Sequence, residues 1–159
     1  MLAYRRATKG PADMDTLSAL NNLAVGLTAA AKYDEAGELL TEAVRVLTEQ
    51  FGEAHPYTVS AESNLASILK RRGQHEESER VLARAHEGAK KGFGEDHYTT
   101  LIIACNRADS LVSLNRFEEA IALFEDTARR QTALLGPGHL STITTRMNLA
   151  TARLKSGDK

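Results

Sequence analysis

The sequence has no tryptophan, a single cysteine, three prolines and only 5% aromatic residues. With so few rings, its core has to be assembled from Leu, Ala, Val and Ile. The lone Cys105 excludes an internal disulfide and suits a reducing compartment. Scarce proline beside abundant Ala, Leu, Glu and Arg favours helix throughout. No run approaches the ~18 apolar residues of a membrane span, and the N-terminus MLAYRRATKG has no apolar signal-peptide segment. A net charge of −1 leaves no basic field for a phosphate backbone, so a nucleic-acid role has no support. Glycine-rich phosphate loops and metal-ligand spacings are missing too, so neither cofactor nor metal is expected. An all-helical cytoplasmic protein is the starting expectation, and 159 residues suffice for one domain with a real core.

What the sequence does have is a period. Sliding it by 42 residues aligns 13–54, 55–96 and 97–138 without a gap, and 139–159 matches the first half again. FGEAHPYT (51–58) returns as FGEDHYTT (93–100) and, more weakly, as LGPGHLST (135–142). Thr16, Thr58, Thr100 and Thr142 coincide, as do Asn22, Asn64, Asn106 and Asn148. The acidic pairs Asp34-Glu35, Glu76-Glu77 and Glu118-Glu119 also align.

Each unit reads as two helices. Leu17, Leu20, Leu23, Ala24 and Leu27 form one apolar stripe, and Ala36, Leu39, Leu40, Ala43 and Leu47 form a second. First (A) helices are predicted near 14–30, 56–72, 98–114 and 140–156, and second (B) helices near 33–51, 75–92 and 117–135. Residues 2–9 align with the end of an earlier B helix, making 1–12 a tail and linker. The A-to-B joint holds Gly73, Asn115 and Gly157, which tolerate the left-handed conformation that closes a helix; Ala31 fills that slot less well.

The helix pair with NNLA (21–24), KYDEA (32–36) and RFEEA (116–120), and the linker GEAHPYT (52–58), resembles a tetratricopeptide repeat. The 42-residue period and the Gly-x-x-His-Pro-x-Thr linker resemble the kinesin-light-chain type of array. The resemblance implies an α-solenoid of antiparallel helix pairs, a right-handed superhelix of about 3.5 repeats. Arg107 departs from the pattern, standing where the other units have Leu, and Ser78 replaces a small Ala.

Three histidines in register invite a metal or catalytic reading, but residues one repeat apart are separated by about 10 Å or more, whereas zinc ligands lie about 2 Å from one ion. His55 fits an N-cap with Pro56 at N1, and unit one has the strong N-cap residue Asp13 in its place. The acidic pairs sit in the first turn of the B helices, where capping, solvation and the helix dipole account for them.

Asn22, Asn64, Asn106 and Asn148 fall mid-helix, where Asn is a mediocre helix former. The resemblance implies that the A helices line the concave face, with this Asn positioned to hydrogen-bond the backbone of a bound peptide. An amide donates and accepts, so it can pair with any sequence. The competing reading is that Asn bridges neighbouring A helices and fixes register. Asn21, Ser63, Ser67, Lys70, Ile102, Asp109 and Met147 share that face by helical spacing, and Ile102, Cys105 and Met147 make an apolar patch. Lys70, Arg71 and Lys155 bring positive charge. Ser18, Val25 and Ile102 stand where the family's carboxylate clamps want polar or basic groups, so a neutral or acidic segment with one apolar anchor fits better.

A buried Arg107 demands a partner, either an acidic residue of the neighbouring B helix or a site special to unit three. Nothing adjacent in sequence would make Cys105 a nucleophile. A non-enzymatic module binding a protein or peptide on the A-helix face is therefore expected. The alternative is a structural or sensor segment of a larger signalling protein, for example beside a nucleotide-binding domain. An excised stretch of a longer array, or self-association through uncapped terminal helices, would account for the unpartnered last A helix.

Overall fold

The joints explain the architecture. In a computed structural model, which describes residues 23, 24 and 26–157, each helix ends and restarts through a short motif that recurs at the 42-residue interval. Among the described residues seven helices result, with no strand. They are α1 (helical through 29), α2 (Tyr33–Phe51), α3 (Pro56–Arg71), α4 (His75–Phe93), α5 (Tyr98–Ser113), α6 (Phe117–Leu135) and α7 (Leu140–Ser156). The proposed tail and most of the first A helix, with Asn21 and Asn22, lie outside the described residues.

From B to A helix, the linker folds around a glycine. Gly94, at φ 96° and ψ 161°, closes α4 by donating to the Lys90 carbonyl. Its own carbonyl then accepts from the Thr100 hydroxyl at 2.8 Å. His97 caps α5, its Nδ1 accepting from the Thr99 N–H at 3.2 Å, and its ring stacks on Phe93 at 4.9 Å. Gly52, His55 and Thr58 repeat this geometry, and so do Gly136, His139 and Thr142. The histidines are N-caps, as their spacing implied.

From A to B helix, a left-handed residue ends the helix: Ala31 (φ 57°), Gly73 (φ 75°) and Asn115 (φ 58°). The next N–H reaches back five residues, Lys32 to Leu27, Gln74 to Leu69 and Arg116 to Leu111, each at 2.9 Å. These are Schellman closures. The acidic pairs do fall in the first turn of α2, α4 and α6, but no side chain caps those helices. Instead Lys32, Gln74 and Arg116 each donate to the glutamate three residues on, at 2.9, 3.3 and 2.7 Å. The capping part of the sequence reading is thus corrected, because the B helices begin by backbone closure.

Each helix packs against its sequence neighbours, and α5 also meets α7. A first apolar cluster runs from Ala24 to Ile103 and a second from Ala108 to Ala152. Arg107 falls between Ile103 and Ala108, and its Nε donates to Glu79 of α4 at 3.0 Å. That is the acidic partner from the neighbouring B helix. Ser78 is fully buried and donates to the Ala66 carbonyl at 2.9 Å, so the hydroxyl is accommodated where other units have Ala.

One packing feature has no local pattern. The linker of the preceding unit lies directly on α4, and a Cβ at Gly88 or Gly92 would stand 2.4 Å from the Glu53 oxygen or 2.2 Å from the Ala54 oxygen. One repeat later, Arg130 replaces Gly88 and holds its linker by ion pairs to Glu95 at 2.8 Å and Asp96 at 2.7 Å.

Candidate functional site

The helices α1, α3, α5 and α7 form one layer, and α2, α4 and α6 lie beneath it. Between α1 and α3 a cleft of about 360 Å³ opens over Leu40 of α2, walled by Ala24 and Thr28 on one side and Asn64 and Ile68 on the other. Between α3 and α5 a second cleft, of about 430 Å³, opens over Leu82 of α4, walled by Ala66 and Lys70 and by Asn106 and Ser110. Adding 42 to each of those five residues of the first cleft gives the five of the second. The same site therefore occurs twice, one repeat apart, with the ladder asparagine on the same wall.

At two of these positions the side chains differ in chemistry. Ile68 of the first cleft becomes Ser110 in the second, and Thr28 becomes Lys70. Ser67 and Arg71 line both clefts from the ridge between them. The first is chiefly apolar. The second has the buried hydroxyls of Ser78 and Ser110 at its base, and an ion pair between Lys70 and Asp109 ties its two walls. The Ser110 hydroxyl is completely buried and has no hydrogen-bond partner.

The sequence-predicted residues divide accordingly. Ser67, Lys70, Asn106 and Asp109 come together in the second cleft, and Asn64 and Ser67 in the first. Ser63, Ile102 and Met147 line neither; Ser63 and Ile102 are half-buried, and Met147 is 65% exposed on α7. Asn106 is exposed. Asn148 lies beside the Cys105 thiol on α5, which accepts from the Thr145 hydroxyl at 3.4 Å. Burial pushes that thiol above its ordinary pKa, which disfavours the thiolate.

Two of the three cations expected at the groove are engaged. Lys70 is neutralised by Asp109, and the Arg71 guanidinium lies 5.8 Å from the centre of the Tyr33 ring. Sequence reasoning did not single out Ser110 or the leucine floor. The signal for Ser110 is its register, since a serine stands where the other units have Ile68 and Ala152.

The sequence profile of the tetratricopeptide repeat matches residues 57–133 and 100–159, and a second profile of that description matches 16–57. A comparison with curated proteins finds no match. Among solved structures, the chain is similar to a protein described as a Podosopora anserina kinesin light chain with nearly identical TPR-like repeats. In a single-substitution variant of that protein the TM-score is 0.90 at 23% identity, over 99% of this chain and 74% of the other. It is similar also to BtubC (BKLC) from P. vanneervenii, with a TM-score of 0.86 at 21% identity over 98% of this chain and 62% of BtubC. At such identities the likeness speaks to the fold. Tetratricopeptide repeats are protein-interaction modules, and their fold is generally a non-catalytic scaffold. With its repeat profiles, its paired helices and its 42-residue joints, the chain belongs to the tetratricopeptide repeat family.

Proposed function

We propose that this chain is a non-enzymatic module that holds an extended segment of a protein partner along the concave face built by α1, α3, α5 and α7. Asn64 and Asn106 pair with the segment's backbone, and the two clefts receive its side chains. The observation that carries this reading is the duplication of one cleft at exact repeat spacing, each copy walled by its asparagine. A site that merely fills space has no reason to keep a polar, poorly helix-forming residue at the same wall twice. The net neutrality of the Lys70–Asp109 pair favours an uncharged segment over an acidic one.

Peptide display selection against the whole chain tests the reading. Peptides enriched on the native protein should be lost on the Asn64→Ala/Asn106→Ala double variant. Enrichment that is equal on both proteins would sink it.

A second reading, self-association, is favoured by α7. Leu140, Ile143, Met147 and Leu154 are 75%, 42%, 65% and 78% exposed, and three to seven residues separate each from the next. Light scattering over a concentration series decides it, since a strictly monomeric chain rejects that reading.

A further inference from the structure

Helix α7 buries threonines and exposes its larger apolar side chains. Its buried residues are Thr142, Thr145 and Ala152, whereas Ile143, Met147, Ala150 and Leu154 form an exposed stripe at helical spacing. In α3 and α5 the same side is covered. On α3, α4 lies over it: Ser78 donates to the Ala66 carbonyl, Arg84 donates to Glu62 at 2.9 Å, and a Cβ at Gly88 would stand 3.3 Å from a methyl of Val59. On α5, Ala108 and Leu111 pack with Ala120 and Phe124 of α6. One repeat beyond Leu101, Ala104, Ala108 and Leu111 stand Ile143, Arg146, Ala150 and Arg153, and all four are exposed. The face that twice seats a helix thus recurs on α7, with no helix on it among the described residues.

The charges on this face specify what it takes. Across the α3–α4 interface the pair is Glu62 with Arg84. One and two repeats on, position 84 becomes Asp126 in α6 and position 62 becomes Arg146 in α7. An incoming helix with a carboxylate at the Arg84 position restores the pair with its signs exchanged. Arg146 has no ion pair among the described residues. Arg153, held by Glu125 of α6 at 2.5 Å, adds positive charge further along the stripe. Covering Arg146 with a helix that lacks a carboxylate would leave a buried charge unpaired, which is costly. A second copy brings like charge by either of two routes. Its α7 repeats both arginines, and its residues 2–9, aligned with a B helix, contain Arg5, Arg6 and Lys9 but no carboxylate.

We infer that this face of α7 seats an amphipathic helix of another protein, lying as α6 lies on α5 and presenting an aspartate or glutamate to Arg146. The surface is separate from the two clefts of the peptide-binding reading. It also gives the α7 stripe a different occupant from the self-association reading.

The probe is a fluorescein-labelled peptide with the sequence of α6, Phe117–Leu135, read by fluorescence anisotropy with the whole chain. A staple on its solvent face keeps it helical, since isolated helices of this length are marginal. It carries Asp126 at the position of Arg84, and Phe124, which packs with Ala108 in the chain and meets the equivalent Ala150 on α7. A second peptide carries Asp126→Arg. The native chain should bind the Asp126 peptide about 10-fold tighter, the scale of a hydrogen bond between charged groups. Arg146→Glu, an exposed substitution that should leave the melting temperature in place, should reverse the preference by rebuilding the sign of Glu62–Arg84. The Asn64→Ala/Asn106→Ala double variant should change neither affinity, so failure here and failure of the groove are told apart. Equal affinity for both peptides, no binding by either, or a preference that survives Arg146→Glu overturns the inference. So does a dimer in light scattering that Ile143→Asp dissolves, which would assign the stripe to a second copy.

Discussion

Ala31 adopts the left-handed conformation that Gly73 takes at the same joint, and a Cβ there costs about 1–2 kcal/mol. Replacing it by glycine relieves that strain but widens the unfolded ensemble by about 0.4–1 kcal/mol. Ala31→Gly should therefore raise stability by a net ~0.5–1 kcal/mol, read as a higher urea midpoint. A second residue sets a pH dependence. Glu62 is 1% exposed, accepts from Arg84 at 2.9 Å, and has its other oxygen buried without a partner. Burial raises its pKa above the ordinary 4.5 against the opposing effect of Arg84. Its contribution to stability is full below that ordinary value and is lost as pH rises through the raised one. His86 runs the other way: burial, then Arg107 and Lys90, lower its pKa below 6.5, so its contribution is lost as pH falls through the lowered value. Glu62→Gln imitates the protonated acid. The variant should gain on the native chain as pH rises from about 4 to about 7. Urea midpoints at both ends check this, and a gap that does not change with pH would contradict it.

Among the elements, α4 carries the least expected constraint. A glycine inside an exposed helix costs about 1 kcal/mol relative to alanine, so Gly88→Ala would ordinarily stabilise. Here the new methyl would stand 2.4 Å from the backbone oxygen of Glu53, and the linker would have to move. Destabilisation of about 1–3 kcal/mol is expected, the usual scale of overpacking. A gain in the denaturation midpoint would show that the linker does not rest on α4. Helix positions themselves were legible in the repeat: the B helices predicted near 33–51, 75–92 and 117–135 are Tyr33–Phe51, His75–Phe93 and Phe117–Leu135. Caps, left-handed joints and apolar stripes are local, so one unit's pattern discloses them. The seat of the linker on Gly88 and Gly92 is not local. It depends on how far one unit is offset from the next, and no spacing within a helix encodes that offset.

At the scale of the whole array, the same division separates what the sequence disclosed about the groove from what it concealed. The register of the asparagine ladder was legible from the period. That Lys70 meets Asp109, 39 residues on, was not, because two long side chains meet or miss according to the pitch of the array. The ladder is also not uniform. Asn64 and Asn106 wall equivalent clefts, whereas Asn148 lies beside Cys105, and Phe124 stands where the clefts have Leu40 and Leu82. On the proposed reading, Asn106 serves binding and Asn148 serves register. Isothermal titration of a display-selected peptide, paired with thermal melting, should find that Asn106→Ala lowers affinity about 10-fold, near the upper end for one hydrogen bond, and leaves the melting temperature in place. Asn148→Ala should do the reverse. If Asn106→Ala instead lowers the melting temperature while the peptide binds as before, the ladder is a structural device at every rung and the proposed groove is not the binding site.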